Sequence, residues 1–112
     1  MNTRRQEQVN ELIRSELAQL FTKELELPHG VIVTISHVET SADMEHARVY
    51  LSIWPVERRG EIWPTLVPQQ GHFQRLLNRR LHMDHVPLIE FMHDESEEKA
   101  ERLNRLLDTL DG

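Results

Sequence analysis

A chain of 112 residues without cysteine has the length of one domain and can bury one continuous core, since a fold of about 100 residues hides roughly two-thirds of its unfolded surface. The missing cysteine excludes a disulfide framework, a thiolate zinc site and a cysteine nucleophile, and no apolar run approaches the roughly 20 residues of a bilayer crossing, so a cytoplasmic protein without membrane association is expected. The net charge of −6 opposes nucleic-acid binding when taken as a sum, because phosphates are held by Lys and Arg, but the acid is concentrated from Asp94 onward, while residues 69–93 carry Arg75, Arg79 and Arg80 against Asp84 and Glu90.

The charged start MNTRRQEQVN lacks a signal-peptide core. Val9, Leu12, Ile13, Leu17, Leu20 and Phe21 recur at intervals of three and four, which predicts an amphipathic helix over residues 3–25, ended by Pro28 and Gly30. The β-branched run VIVTISHV over residues 31–38 predicts a strand with Val31, Val33 and Ile35 on one face. After a polar turn, ARVYLSIW over 47–54 alternates Ala47, Val49, Leu51 and Ile53 with polar and aromatic residues. The short link predicts an antiparallel pair. In EIWPTLVPQQ, Pro64 and Pro68 each remove a backbone donor, so only a short helix or turn is expected there.

GHFQRLLNRRL over 71–81 places Phe73, Leu76, Leu77 and Leu81 on one side of a firmer helix. VPLIEFMH over 86–93 reads as a third strand with Ile89 and Phe91 inward, Pro87 confining it to a strand start or an edge. Asp94, Glu95 and Ser96 are candidate N-caps of a last, acidic helix over about 95–110 with Leu103, Leu106, Leu107 and Leu110 as its apolar stripe. The expectation is a single α+β domain over residues 1–112, a two-layer sandwich of three strands and helices.

Catalysis finds no support among the side chains. His82, Asp84, His85 and His93 carry metal-ligand chemistry, but their spacing matches no usual pair such as two His at i and i+4, and they read as loop histidines, with no metal and no cofactor expected. The carboxylate pairs Asp94–Glu95 and Glu97–Glu98 fit a helix start. Ser15, Ser36, Ser41, Ser52 and Ser96 occupy no nucleophile elbow, and there is no P-loop or dinucleotide fingerprint. What remains is Gly71, His72, Arg75, Arg79 and Arg80, with Arg75 and Arg79 one turn apart behind a glycine that permits a tight turn and a phosphate-binding helix start. Such a face alone is most often just solvated. A broken helical pair joined at a glycine between strands two and three is, however, where a KH domain carries its RNA backbone clamp.

These residues resemble the ribosome-binding factor A family, bacterial assembly factors of the small ribosomal subunit with a type II KH-like fold. The resemblance rests on the early helix with Arg4, Arg5, Val9, Ile13 and Leu17, the strand VTISHV, the link with Ser41, Asp43, Met44 and Ala47, the strand RVYLS, then Gly71, Leu76–Leu77 and the pattern Pro87, Ile89, Phe91, Asp94. It implies the order helix, strand, strand, helix, kink, helix, strand, helix. It further implies binding to the immature small subunit and its 16S rRNA and support of late rRNA maturation without cleaving RNA; a monomer is expected. Carried over by residue, Arg4, Arg5, Gly71, His72, Arg75, Arg79 and Arg80 would meet the rRNA. The family's alanine, any residue, glycine kink corresponds to Gln69-Gln70-Gly71 here, its following arginine to Gln74, and its basic residues before the proline to His82 and Asp84. A KH-like protein-interaction module, anchored by Trp54 or Trp63, is the alternative.

Overall fold

The computed structural model of the chain describes residues 2–111, the side chains of residues 97, 98 and 111 excepted, so the expected roles of Glu97 and Glu98 in a helix start lie outside the described residues. The first helix, α1 (Arg4–Glu24), is entered through a reciprocal cap: Thr3 Oγ1 accepts from the Gln6 N–H at 3.1 Å while Gln6 Oε1 accepts from the Thr3 N–H at 2.9 Å. Val9, Ile13, Leu17, Leu20 and Phe21 are buried along one stripe. Leu12, expected on that stripe, is exposed, since it sits one residue and therefore about 100° away from Ile13. The helix ends before Pro28, and Gly30 at φ 83° turns the chain so that the Val31 N–H reaches the Pro28 carbonyl.

Strands β1 (Ile32–Thr40) and β2 (His46–Trp54) pair antiparallel, and β3 (Leu88–His93) adds parallel to β2, giving the order β1-β2-β3. A bulge at Ser36 separates the pairs Ile35↔Leu51 and His37↔Tyr50. It shifts the alternation by one residue, so Val31, Val33 and Ile35 face the helices before it and Val38 and Thr40 after it. The parallel pairing requires a crossover, which residues 55–87 supply by packing back over one face of the sheet.

That crossover is helical for most of its length. A 3-10 turn (Val56–Arg58) leads into α2 (Arg59–Leu66), a second 3-10 turn (Val67–Gln69) follows, and α3 (Gln70–Arg80) continues from it. The prolines break less than expected. Pro64 lies inside α2, where the carbonyl that loses its donor belongs to the exposed Gly60, and Pro68 sits at the start of a 3-10 turn, where no donor is required. Buried Ile62 and Leu66 hold α2 to the core. Phe73 of α3 meets Phe21 of α1 at 4.8 Å and Phe91 of β3 at 6.4 Å between ring centroids, tying the helical layer to the sheet.

The opposite sheet face is uncovered, with Ile32, Trp54 and Leu88 all more than half exposed. The last helix, α4 (Ser96–Asp111), is capped by Asp94, whose Oδ1 accepts from the Ser96 N–H at 2.9 Å and whose Oδ2 accepts from the Ser36 hydroxyl at 2.6 Å. Its stripe of Leu103, Leu106, Leu107 and Leu110 is exposed throughout, so the expected apolar face meets no second layer in the single chain. One helical layer on one side of a three-stranded sheet, in the order anticipated from the family resemblance, makes this a KH-like α+β domain.

Candidate nucleic-acid interface

The candidate residues sit on the helical layer, and their own bonds divide them. α1 and α3 run antiparallel: His72 Nε2 lies 3.3 Å from Glu24 at one end of the contact, and Arg80 Nη1 lies 3.1 Å from both Glu16 Oε2 and Gln19 Oε1 at the other. Arg80 is half-buried in this position and binds helix to helix. Arg75 and Arg79, one turn apart, are exposed and form no ion pair among the described residues. Arg4 and Arg5 lie in the first turn of α1, likewise exposed and unpaired among the described residues. Because the two helices are antiparallel, that turn falls toward the C-terminal end of α3, and Arg5 shares a cleft with residues His82–His85.

Gly71 is placed differently from the expectation of a tight turn. It is the second residue of α3, exposed and without a positive φ; the helical axis is interrupted earlier, in the 3-10 turn around Pro68. The start of α3 is therefore a continuation of that turn and not a free N-terminus open to phosphate. A Cβ at Gly71 would lie 3.6 Å from Arg75 Nη1, an ordinary contact, so the Arg75 guanidinium folds back across the small residue.

Gln74, which stands at a family arginine position, and Gln70 carry a role that spacing did not reveal. Gln74 Oε1 accepts from the Ile89 N–H at 2.7 Å and its Nε2 donates to the Pro87 carbonyl at 3.2 Å, while Gln70 Oε1 accepts from the Phe91 N–H at 2.8 Å. One turn apart, the two side chains bond the outer edge of β3 as a further strand would. Two half-buried glutamines at i and i+4 beside the apolar Phe73 and Leu77 are the only trace of this in the sequence.

The histidine-rich link does not gather a metal set: His85 Nε2 contacts Glu45 at 3.0 Å, His93 stacks edge-on to Trp63, and no group of three or more potential ligands converges among the described residues. Ser41, Asp43 and Met44 build the β1–β2 turn, where the Asp43 carboxylate accepts from the Ser41 hydroxyl at 2.6 Å and the Glu45 N–H at 3.0 Å, which lowers its pKa, and Met44 adopts φ 63°. The Ser36 hydroxyl, then Ser96, depress the Asp94 carboxyl to about 2. No helix among the described residues is long and apolar enough to cross a membrane.

Comparison with known proteins places this geometry. The ribosome-binding factor A family profile matches residues 5–107. Curated ribosome-binding factors A from Nitrosococcus oceani and Thermomicrobium roseum are each 35% identical, over 105 and 108 residues, covering 93% and 96% of this chain and 83% and 84% of theirs. Among solved structures, a Thermotoga maritima protein assigned to ribosome-binding factor A superposes with a TM-score of 0.62 at 28% identity over 82% of this chain and 90% of its own. The Thermus thermophilus factor, at 21% identity, superposes with a TM-score of 0.63 over 79% of this chain and 93% of its own and supports the fold. With the profile spanning nearly the whole chain and the fold matching, this chain belongs to the ribosome-binding factor A family.

Proposed function

We propose that the protein is an assembly factor that binds the immature small (30S) ribosomal subunit through its 16S rRNA, as a cytoplasmic monomer, and supports late rRNA maturation without cleaving RNA. The observation that carries this reading is the contrast on α3: His72 and Arg80 are engaged with α1, whereas Arg75 and Arg79 stand exposed with no ion pair among the described residues. Unpaired guanidinium groups on one helix face are the groups that displace phosphate counterions. Arg4 and Arg5 add to them from a helix start, where the positive end of the dipole disfavours cations and an RNA phosphate relieves both charges. Gly71, with no side chain, lets a sugar-phosphate backbone approach α3 beside Arg75.

Family membership supports the same partner, and a Thermus thermophilus relative of this fold has been fitted as a homology model into a map of a 30S complex. No cofactor or small-molecule substrate enters the proposal. A protein that binds one rRNA conformer more tightly than another shifts their populations by that difference and needs no catalytic group.

The test is binding of the purified chain to small-subunit precursors across a salt series. An Arg75→Ala/Arg79→Ala variant is expected to bind more weakly and to lose roughly one unit of the log–log salt slope per phosphate contact removed. Binding with unchanged affinity and slope rejects the α3 surface. A protein-interaction module with little RNA binding is the second reading, favoured by Trp54, which is 60% exposed beside Ile32 on the bare sheet face. It requires that Trp54→Ala, and not the arginine variant, abolish co-sedimentation with small subunits.

A further inference from the structure

The two edges of the sheet are finished in opposite ways. Gln70 and Gln74 close the β3 edge, whereas on β1 only the last residue is closed: the Thr40 N–H donates to Asn10 Oδ1 at 2.8 Å and its carbonyl accepts from Gln6 Nε2 at 3.0 Å. Backbone direction along the rest of β1 follows from the ladder. The Leu51 carbonyl accepts from the Asp94 N–H, so Leu51, and with it Val49 and Ile53, turn their backbone groups toward β3. Their β1 partners Ile35, Val38 and Val33 then present N–H and C=O outward, and no other described element or side chain bonds them.

Beside this open edge runs a groove of about 500 Å³ between α1 and β1, lined mainly by apolar residues such as Ala18, Phe21, Leu25, Leu27, Val33 and Ile35, with Arg14 also on its wall. Val33 and Ile35 are only half-buried, although they point to the helical side.

We propose that the β1 edge is a strand-addition site for an extended segment of a partner protein with apolar residues at every second position. The occupant is set by the backbone chemistry. The edge offers donors and acceptors in alternation at the spacing of a strand, which another extended polypeptide matches group for group, whereas an RNA backbone is mostly acceptor and has one 2′-hydroxyl donor per nucleotide, too few to pair the carbonyls in register. The apolar groove takes the alternate side chains. A second copy of this chain fits less well: paired β1 strands lie about 4.8 Å apart, and an α1 helix over each would fall well inside the 8–10 Å that packed helices need. The site is independent of the arginine face on α3.

The test pans displayed random twelve-residue peptides against the whole chain and follows hydrogen exchange of the labelled protein with a selected synthetic peptide. The expected result is at least tenfold slower exchange at the amides of Val33, Ile35 and Val38. A tenfold loss of peptide affinity is expected in Ala18→Arg and in Thr22→Arg, with the thermal midpoint unchanged, and no loss in Arg75→Ala/Arg79→Ala. Thr22 is exposed and lines the same groove, so the second variant remains informative if the first perturbs folding. Failure to enrich any peptide, protection of other amides, or protection that disappears on dilution of the protein alone overturns the proposal.

Discussion

Gln74 stands where the family resemblance places an arginine, and its side chain is directed to the β3 edge instead of to solvent. Gln74→Ala strands the Ile89 N–H and the Pro87 carbonyl at a half-buried edge, a change expected to destabilise the protein by about 1–3 kcal/mol. Urea unfolding of the purified variant measures this; a loss below about 0.5 kcal/mol means that water replaces the side chain without penalty. Asp94 gives a second prediction at this scale. Its carboxyl titrates near 2 because the Ser36 hydroxyl and Ser96 stabilise the charged form, while an unfolded aspartate titrates near 3.9. Between those values the unfolded chain binds more protons, so the contribution of Asp94 is complete above about pH 4 and is lost as pH falls toward 2. Asp94→Asn should flatten this part of the stability profile, followed by thermal midpoints from pH 5 to pH 2. An unchanged acid slope removes Asp94 as a cause.

At the scale of elements, Gly71 separates a structural role from a binding role. It is helical, and a Cβ there would meet only the flexible end of Arg75, so Gly71→Ala is expected to stabilise the fold by about 0.5–1 kcal/mol. If an rRNA backbone passes over this residue, the same methyl group weakens binding to small-subunit precursors. A higher thermal midpoint together with weaker binding is the expected pair of results, and a higher midpoint with unchanged binding takes Gly71 out of the interface. The elements themselves were legible wherever side-chain period and burial agree: α1, the two antiparallel strands, α3 and β3 all appear within a few residues of their expected bounds. The phase change in β1 was not, because nothing about Ser36 as a residue type marks the bulge whose hydroxyl bonds the Tyr50 carbonyl and Asp94. α2 was legible only as a short helix or turn, since Pro64 and Pro68 weigh against a longer one, and here the carbonyl that Pro64 leaves without a donor belongs to exposed Gly60. For the candidate site, residue types identified the arginines, but only the packing of α1 on α3 distinguishes bonded Arg80 from exposed Arg75 and Arg79.

The molecule as a whole consists of a packed unit through β3 and a helix that adds no core to it. Every side chain described in α4 is exposed; its hydrogen-bonded attachments are at its start, through Asp94 to Ser36 and through Glu95 to Arg59 at 3.4 Å, and farther along Glu101, Arg102 and Arg105 face Val56 and Arg59 across a shallow cleft. Removing residues 96–112 retains both hydrogen-bonded attachments and takes away no buried core side chain, so little hydrophobic stabilisation is lost. The thermal midpoint of the shortened chain is therefore expected to stay within about 3 °C of the full chain, given that 1 kcal/mol moves a domain of this size by roughly 4–8 °C. The deletion also removes more acidic than basic residues while leaving Arg4, Arg5, Arg75 and Arg79 in place. Weaker repulsion of phosphate should raise affinity for small-subunit precursors at low salt without changing the salt slope, because the cations that release counterions are the same. Calorimetry and a salt titration of the shortened chain read the two effects separately. A midpoint lowered by more than about 8 °C would mean that the leucine stripe of α4 packs against the domain in solution, and a reduced salt slope would mean that Lys99, Arg102 or Arg105 belongs to the RNA-binding surface.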